Sequence, residues 1–281
     1  MDYIGLNIRN SDPETWNDII VALLSEFPFE SFEDTDDGVS AYIPAEEFDS
    51  HMSEVLDKLP SEARIEIEQV HHPRKNWNAE WESSFQPVII DSLCCIYAPF
   101  HQAPEQGAFT YTMCIMPRMA FGTGHHSTTR QMIASMDEAL NFEGESVLDM
   151  GCGTGVLGLF ARIKGAEVVH AIDVDEWAVE NTIENFAANE QQAPEYAVCG
   201  DKHSLQANSS FGIILANINR NVLLEDIPTY VKHLKRGGHL MLSGFYEEDV
   251  PAILDVSKSS GLELQKQWKH NEWMVLHLQL Q

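Results

Sequence analysis

Positive charge is scarce in this sequence: 17 Lys and Arg stand against 44 Asp and Glu in 281 residues, a formal net charge of -27. Such a field repels a phosphate backbone, so DNA or RNA as a direct partner is disfavoured, while a basic protein partner is allowed. The shortage is uneven. Residues 1–70 hold 3 bases and 18 acids, an excess of 15, more than half of the total in a quarter of the chain. Taken alone, that acidity needs no more than solubility to explain it. Long apolar runs are also missing. No stretch approaches the ~18 uninterrupted apolar residues of a membrane helix. The opening MDYIGLNIRNSD lacks a basic segment followed by an apolar one, so no signal peptide is expected. Cysteine is sparse: Cys94, Cys95, Cys114, Cys152 and Cys199 are odd in number and form no CxxC. This points to a reducing cytoplasm and away from a disulfide frame or a zinc knuckle. What is present, 44% hydrophobic and 22% charged residues, is ordinary globular composition, enough for one large domain or two modest ones.

The first 70 residues predict the order β-α-β-β-α-β of a small ferredoxin-like α+β domain. Tyr3 to Ile8 alternates as a strand, Ser11 or Asp12 can cap a helix beginning at Pro13, and Trp16, Ile19, Ile20, Leu23 and Leu24 form its apolar face. Phe29–Phe32 and Val39–Ile43 read as a hairpin around DTDDG, Ala45–Lys58 as a second helix and Arg64–Val70 as a closing strand. Residues 71–92 read as a Trp-rich linker in which Trp77, Trp81 and Phe85 share one helical face and Pro87 ends the helix. Residues 93–120 predict two strands around a loop. From about residue 128 helix and strand alternate, which demands a doubly wound, mostly parallel sheet in a second domain, 93–281. The last two strands are separated only by a short turn (KHNE), so the final strand is expected to be antiparallel.

The segment SVLDMGCGTGVLGL, residues 146–159, carries the most chemistry. An apolar strand runs into Gly151, Gly153 and Gly155 and then into an apolar helix. Glycines let the backbone turn sharply and let a ligand approach it, and a helix N-terminus presents unpaired N–H groups. Two nucleotide readings fit. Shifted by two residues, the loop from Gly153 to Gly158 (GTGVLG) matches the GxGxxG dinucleotide fingerprint, with Asp173 placed 20 residues on as an NAD site requires. A dinucleotide fingerprint, however, starts directly after its strand, where this sequence has Gly151. The spelling Asp149-x-Gly-Cys-Gly-Thr-Gly instead resembles the first motif of class I S-adenosylmethionine-dependent methyltransferases. Asp173 ends the next strand, where a carboxylate can accept hydrogen bonds from both hydroxyls of a ribose.

Two further segments narrow the resemblance: Met119-Ala-Phe-Gly-Thr-Gly-His-His-Ser-Thr-Thr129 and Ala216-Asn217-Ile218. Together with AIDVDEWAVENTIENF they resemble the ribosomal protein L-eleven (L11) methyltransferases, the PrmA type, over essentially the whole chain. The resemblance implies a protein N-methyltransferase that moves methyl groups from S-adenosylmethionine to lysine and N-terminal amines of ribosomal protein L11. It implies that the acidic domain 1–70 grips the substrate. Position by position, it makes Thr129, Gly151, Gly153 and Asp173 cofactor-binding residues, Phe121 and Gly122 part of the same pocket, and Asn217 both a cofactor contact and the catalytic residue beside the methyl group and the incoming amine. His126-Ser127 and Asn219-Arg220-Asn221 depart from the family's usual spelling, which touches substrate positioning and not the chemistry.

No metal is expected. His125 and His126 point apart on the chain and no third ligand has suitable spacing. Cys152 has no evident partner base and reads as a small packing residue. A cytoplasmic monomer without direct nucleic-acid or membrane contact is expected. The alternative class, an NAD-dependent oxidoreductase using the shifted GTGVLG loop, stays open at this point, as does a non-catalytic cofactor-binding protein.

Overall fold

The computed structural model of the protein describes residues 2–72, 85–118 and 121–281. The chain divides into two units, Met1–Ser84 and Phe85–Gln281. In the first, strands β1 (Tyr3–Arg9), β2 (Ser31–Thr35), β3 (Gly38–Pro44) and β4 (Glu66–His72) form an antiparallel sheet in the order β2-β3-β1-β4. Alternation along β1 turns Ile4, Leu6 and Ile8 inward, onto Ile20 and Leu24 of helix α1 (Pro13–Leu24) and onto Val55 and Leu56. This is the ferredoxin-like arrangement, with two local corrections. Ile19 faces out, because the inward position of α1 beside Ile20 is taken by Asn17, whose Nδ2 donates to Asp34 Oδ1 (2.8 Å) and to the Gly38 carbonyl (3.0 Å). The second helix is a 3-10 helix, Ser50–Lys58, in place of an α-helix over 45–58. Asp49 caps it by accepting from the His51 N–H (3.0 Å), and the Ser53 hydroxyl bonds the Ser50 carbonyl (2.8 Å), a local competition that favours the tighter turn.

The second unit opens with a three-stranded sheet, β5 (Val88–Ile90), β6 (Cys94–Tyr97) and β7 (Tyr111–Cys114), where residues 93–120 predicted two strands. The additional strand, β5, is only three residues long, and Asp91 turns it into β6 with a φ of 44°, a conformation Asp tolerates. The helix expected over Trp77, Trp81 and Phe85 lies outside the described residues except for Phe85. That residue's ring sits 4.4 Å from the ring of His125.

Then come helix α2 (Ser127–Ala139), β8 (Ser146–Met150), α3 (Val156–Ile163), β9 (Val168–Asp173), α4 (Glu176–Ala188), β10 (Tyr196–Cys199), β11 (Phe211–Asn217), α5 (Arg220–Lys232), β12 (Leu234–Tyr246), α6 (Val250–Ser259), β13 (Leu262–His270) and β14 (Trp273–Leu280). The sheet order is β10-β9-β8-β11-β12-β14-β13. Only β14 runs against its neighbours, as the short final turn requires. β12 runs straight through Gly237-Gly238, where a turn was expected, since Phe211 pairs with Leu234 before the register shifts. Period-2 alternation divides the core: Val147, Val169, Ile213, Leu215 and Met241 pack against α2 and α3, while Leu148, Ile172, Ile214 and Leu242 pack against α5 and α6. The chain winds outward in one direction from β8 and in the other from β11. The carboxyl ends of those two neighbours therefore open a crevice, the place where such sheets bind ligands. Among the described residues no helix is long and apolar enough to cross a membrane.

Candidate functional site

β8 ends at Met150, and Gly151–Gly155 carries the chain into α3. Gly151, Gly153 and Gly155 have φ values of 71°, 56° and 75°, a left-handed region that favours glycine. Neighbouring loops press on this turn: a Cβ on Gly153 would lie 2.1 Å from the Phe121 carbonyl oxygen, and one on Gly151 would lie 2.3 Å from Ile218 Cγ2. Every N–H of the turn is spent inside the protein. Those of Gly151 and Cys152 donate to the Ile172 carbonyl, Gly153 to Asp173 Oδ2 (2.8 Å), Thr154 to the Phe121 carbonyl (2.9 Å) and Gly155 to the Cys152 carbonyl. The loop thus offers a ligand its close-lying backbone surface. Two side chains of α4 buttress the turn: the Thr182 hydroxyl donates to the Gly153 carbonyl (3.1 Å) and Asn185 Nδ2 to the Thr154 carbonyl (2.9 Å).

Beneath the turn, Asp149 is buried and its Oδ2 accepts from the Gly158 N–H at 2.8 Å. Burial pushes this carboxyl up to about 7; the Gly158 bond pulls it down and the nearby Asp173 charge adds to the rise. Burial likewise raises the Cys152 thiol, whose sulfur accepts from Thr182 (3.3 Å), so it stays a neutral packing group.

Gly151, Gly153, Asp173, Asn217 and Phe121 line one cleft of about 380 Å³ at the crevice. Asp173 stands at the end of β9, its Oδ1 accepting from the Asp175 N–H (3.0 Å) and its Oδ2 from Gly153; each oxygen keeps a lone pair for a further donor. Asn217 ends β11 opposite Ser243 of β12, and its Oδ1 is buried without a hydrogen-bond partner among the described residues. Gly122 and Thr129 are not among the lining residues. Gly122 has φ 105° and its carbonyl accepts from the Thr154 hydroxyl (2.7 Å), while Thr129, in the first turn of α2, is fully buried with Oγ1 unpartnered among the described residues. Met119 and Ala120 lie outside the described residues. His125 bonds the Gln86 carbonyl (2.9 Å), and His126 caps α2 by accepting from the Thr128 N–H (3.3 Å). No group of three or more His, Cys, Asp or Glu that could hold a metal ion is found among the described residues.

The sequence reading missed the second wall of the cleft: Gly200 and Asp201 after β10, Asn219 after β11, and Val222 and Asp226 on α5. One signal was available for Gly200 and Asp201, which follow the carboxyl end of a parallel strand beside the switch point. Asp226 had none. It reaches the cleft from the second turn of a helix.

Residues 8–281 match the model of the family described as ribosomal protein L11 methyltransferase (PrmA). A ribosomal protein L11 methyltransferase of Bacteroides thetaiotaomicron is 42% identical over 282 residues, covering 98% of this chain and 99% of that one. The chain belongs to this family. A ribosomal protein L11 methylase from Lactobacillus delbrueckii subsp. bulgaricus superposes with a TM-score of 0.63 at 22% identity, over 69% of this chain and 98% of that one. The 16S rRNA methyltransferase RsmC of T. thermophilus, solved with AdoMet and guanosine, gives 0.50 at 21% identity, over 58% of this chain and 45% of that one. Both share the fold: the large unit has the class I methyltransferase fold, and the cofactor of this L11 methyltransferase family member is S-adenosylmethionine. The oxidoreductase alternative finds no support among these relatives. The cleft fits the group. It has a carboxylate with spare lone pairs on one wall, apolar Val174, Ala178, Ile218 and Val222 for an aromatic base, and an orphaned amide oxygen at its inner end.

Proposed function

We propose that this enzyme methylates lysine side chains and the N-terminal amine of ribosomal protein L11, with Asn217 as the residue that aims the amine. The observation that carries the proposal is the buried Oδ1 of Asn217, unpartnered among the described residues, in the same cleft as Asp173 and the glycine turn. A buried carbonyl oxygen without a partner costs about 1–3 kcal/mol, which an incoming N–H would recover. Asn217 is held for this role by its register with Ser243, whose own hydroxyl is tied to the Met274 carbonyl (2.8 Å), and by the Ile218 N–H bond to the Ser243 carbonyl (3.2 Å).

S-adenosylmethionine supplies an activated methyl on a cationic sulfonium. The protein's part is to bind, orient and keep water out. Asp173 accepts the ribose hydroxyls. Gly151 and Gly153 let the cofactor approach the backbone, while Phe121, half-exposed at the mouth, and Gly122 next to it shape the pocket. Thr129 is the threonine that the family resemblance assigns to cofactor contact, and its buried Oγ1 has no partner among the described residues. The acceptor is the harder partner: a lysine amine at its ordinary pKa of about 10.4 is neutral in roughly one molecule in 2500 at pH 7. A desolvated site next to a cation favours loss of that proton. Asn217 accepts one amine N–H and turns the nitrogen lone pair toward the methyl, and water takes the proton.

The acidic residues 1–70 capture the substrate in this reading, followed by a linker over 71–92 and the catalytic domain 93–281. Ribosomal proteins are generally basic, so an excess of 15 negative charges steers one in. The enzyme acts as a cytoplasmic monomer on the protein alone, without nucleic acid or membrane. The test is to incubate it with methyl-labelled S-adenosylmethionine and purified ribosomal proteins. Label is expected in L11, on amines; label confined to another protein or to rRNA overturns the substrate assignment.

A further inference from the structure

The two walls of the cofactor cleft are held by different means. The turn at Gly151–Gly155 is fixed by backbone hydrogen bonds and by two side chains of α4. The opposite wall consists of Gly200-Asp201, which leaves the four-residue edge strand β10, and of α5, which starts after Asn217-Ile218-Asn219. Between these two pieces stands Lys202, which makes two ion pairs with α5. Lys202 Nζ lies 2.8 Å from Asp226 Oδ1 and also bonds Glu225. Asp226 Oδ2 accepts from the Tyr230 hydroxyl at 3.0 Å, so both carboxylate oxygens are engaged. Asp226 is only 5% exposed although it lines the cleft, and Lys202 immediately follows Asp201, which lines it from the other side.

We infer that Lys202 is a positioning residue for the cofactor: its ion pair with Asp226 straps the loop after β10 to α5 and sets the separation of the surfaces that grip the ligand. This rests on the reading that the cleft holds S-adenosylmethionine. A further link joins the loop to the far end of α5, where Ser209 Oγ lies 3.2 Å from Nδ1 of the capping His233, a residue that does not line the cleft; the anchors next to the cleft stay on the β10 side. The Gly200 N–H donates to the Asp173 carbonyl (2.7 Å), Asp201 accepts from the His203 N–H (2.8 Å) within its own turn, and the Tyr196 hydroxyl donates to the Ser204 carbonyl (3.1 Å) on the β10 side. Lys202 bridges to the helix. Its two carboxylate partners also hold its ammonium above the ordinary lysine range, so the strap is charged throughout the neutral range. Asp226 in turn depends on Lys202, since a buried carboxylate stripped of its cation is strongly disfavoured. Asn217 and the glycine turn are untouched by the pair. Its loss should therefore loosen binding of the cofactor without altering the transfer step.

The test is calorimetric titration of S-adenosylmethionine into the full-length parent, Lys202→Met, Lys202→Arg, Asp226→Asn and the Lys202→Met/Asp226→Asn double variant, with melting temperatures and steady-state methylation of L11. Lys202→Met should weaken cofactor binding and raise the cofactor KM about tenfold, a coupling of the size that contacting pairs carry. Its kcat at saturating cofactor and its KM for L11 should stay within about twofold. Lys202→Arg should recover most of the affinity. In the double variant the two losses should not add, which holds even if each single variant melts lower. If Lys202→Met binds as the parent does, or melts lower with affinity and cofactor KM unchanged, or loses kcat and not affinity, the inference is overturned. If the parent itself does not bind S-adenosylmethionine, the reading of the cleft fails instead.

Discussion

The glycine-turn wall of the cleft and the wall facing it teach opposite lessons about how a binding site is built. The first is local. Consecutive backbone N–H groups are satisfied by a carbonyl and a carboxylate on β9, by the Phe121 carbonyl and within the turn itself, and three left-handed glycines make room for the loops that press on them. The second is assembled at a distance. Lys202 and Asp226 stand 24 positions apart in the chain and meet only because β10 and α5 are brought together by the crossover through β11. A backbone-built wall is intolerant of added atoms. A side-chain-built wall should fail gradually.

The sharpest way to break the contrast is Gly153→Ala. The new Cβ meets the Phe121 carbonyl oxygen at 2.1 Å, and backbone atoms cannot swing aside as a side-chain end can. Cofactor affinity in calorimetry is expected to fall on the order of 100-fold, since misplacement by about 1 Å at a positioning loop costs that much. Gly107→Ala is the control: its φ is also left-handed, at 83°, yet a Cβ there meets nothing within 4 Å. It should cost only about 1 kcal/mol of stability and leave binding alone. If both variants bind equally well, crowding at the glycine turn does not matter.

Asn217→Ala comes next and separates binding from chemistry at the inner end of the cleft. We expect kcat to drop on the order of 100-fold, the scale found when a single orienting hydrogen-bond group is removed from an active site. Cofactor affinity should stay within a few-fold. Full turnover with unchanged affinity would falsify the role given to the amide.

Asp149→Asn tests the floor under the glycine turn. The folded-state pKa of this carboxyl, about 7, lies above its unfolded value of about 3.8. It therefore contributes stability at low pH that is lost as pH rises through about 7. Asn does not titrate, so the melting temperature of the variant relative to the parent should climb by several degrees between pH 5 and pH 8.5. A difference that stays flat with pH means that the carboxyl ionises as it does in the unfolded chain. The smallest effect contrasts the cleft with the acidic residues 1–70. The KM for L11 should rise a few-fold between low and physiological salt, because screening weakens steering of a basic partner, while the cofactor KM barely moves. Equal salt dependence of the two constants removes the steering role.

Much of the molecule was legible before any coordinates. β8, its glycine turn, α3 and Asp173 could be placed because an apolar strand, a glycine triplet and an apolar helix are contiguous, and Asp175 was rightly read as a cap, accepting from the Trp177 N–H (2.9 Å). The expectations that failed were mostly those in which a side chain or a short pairing overrode a pattern. Asn17 displaced an apolar residue from the inner face of α1 because its amide finds partners on two strands. The strand Val88–Ile90 is too short to show a period.

The order of amino acids by itself determined the alternation of strands and helices, the glycine turn, the place of Asp173 at the end of the next strand, the family and the uneven charge, because each is written in neighbouring residues or in composition. Only the tertiary structure decided the second wall. It decided that Asp226 is buried, doubly bonded and part of the cleft, that Lys202 reaches it, and that Asn217 keeps one oxygen without a partner among the described residues. Such facts depend on which segments a seven-stranded sheet places side by side, and on the cost of leaving a buried polar group unpaired.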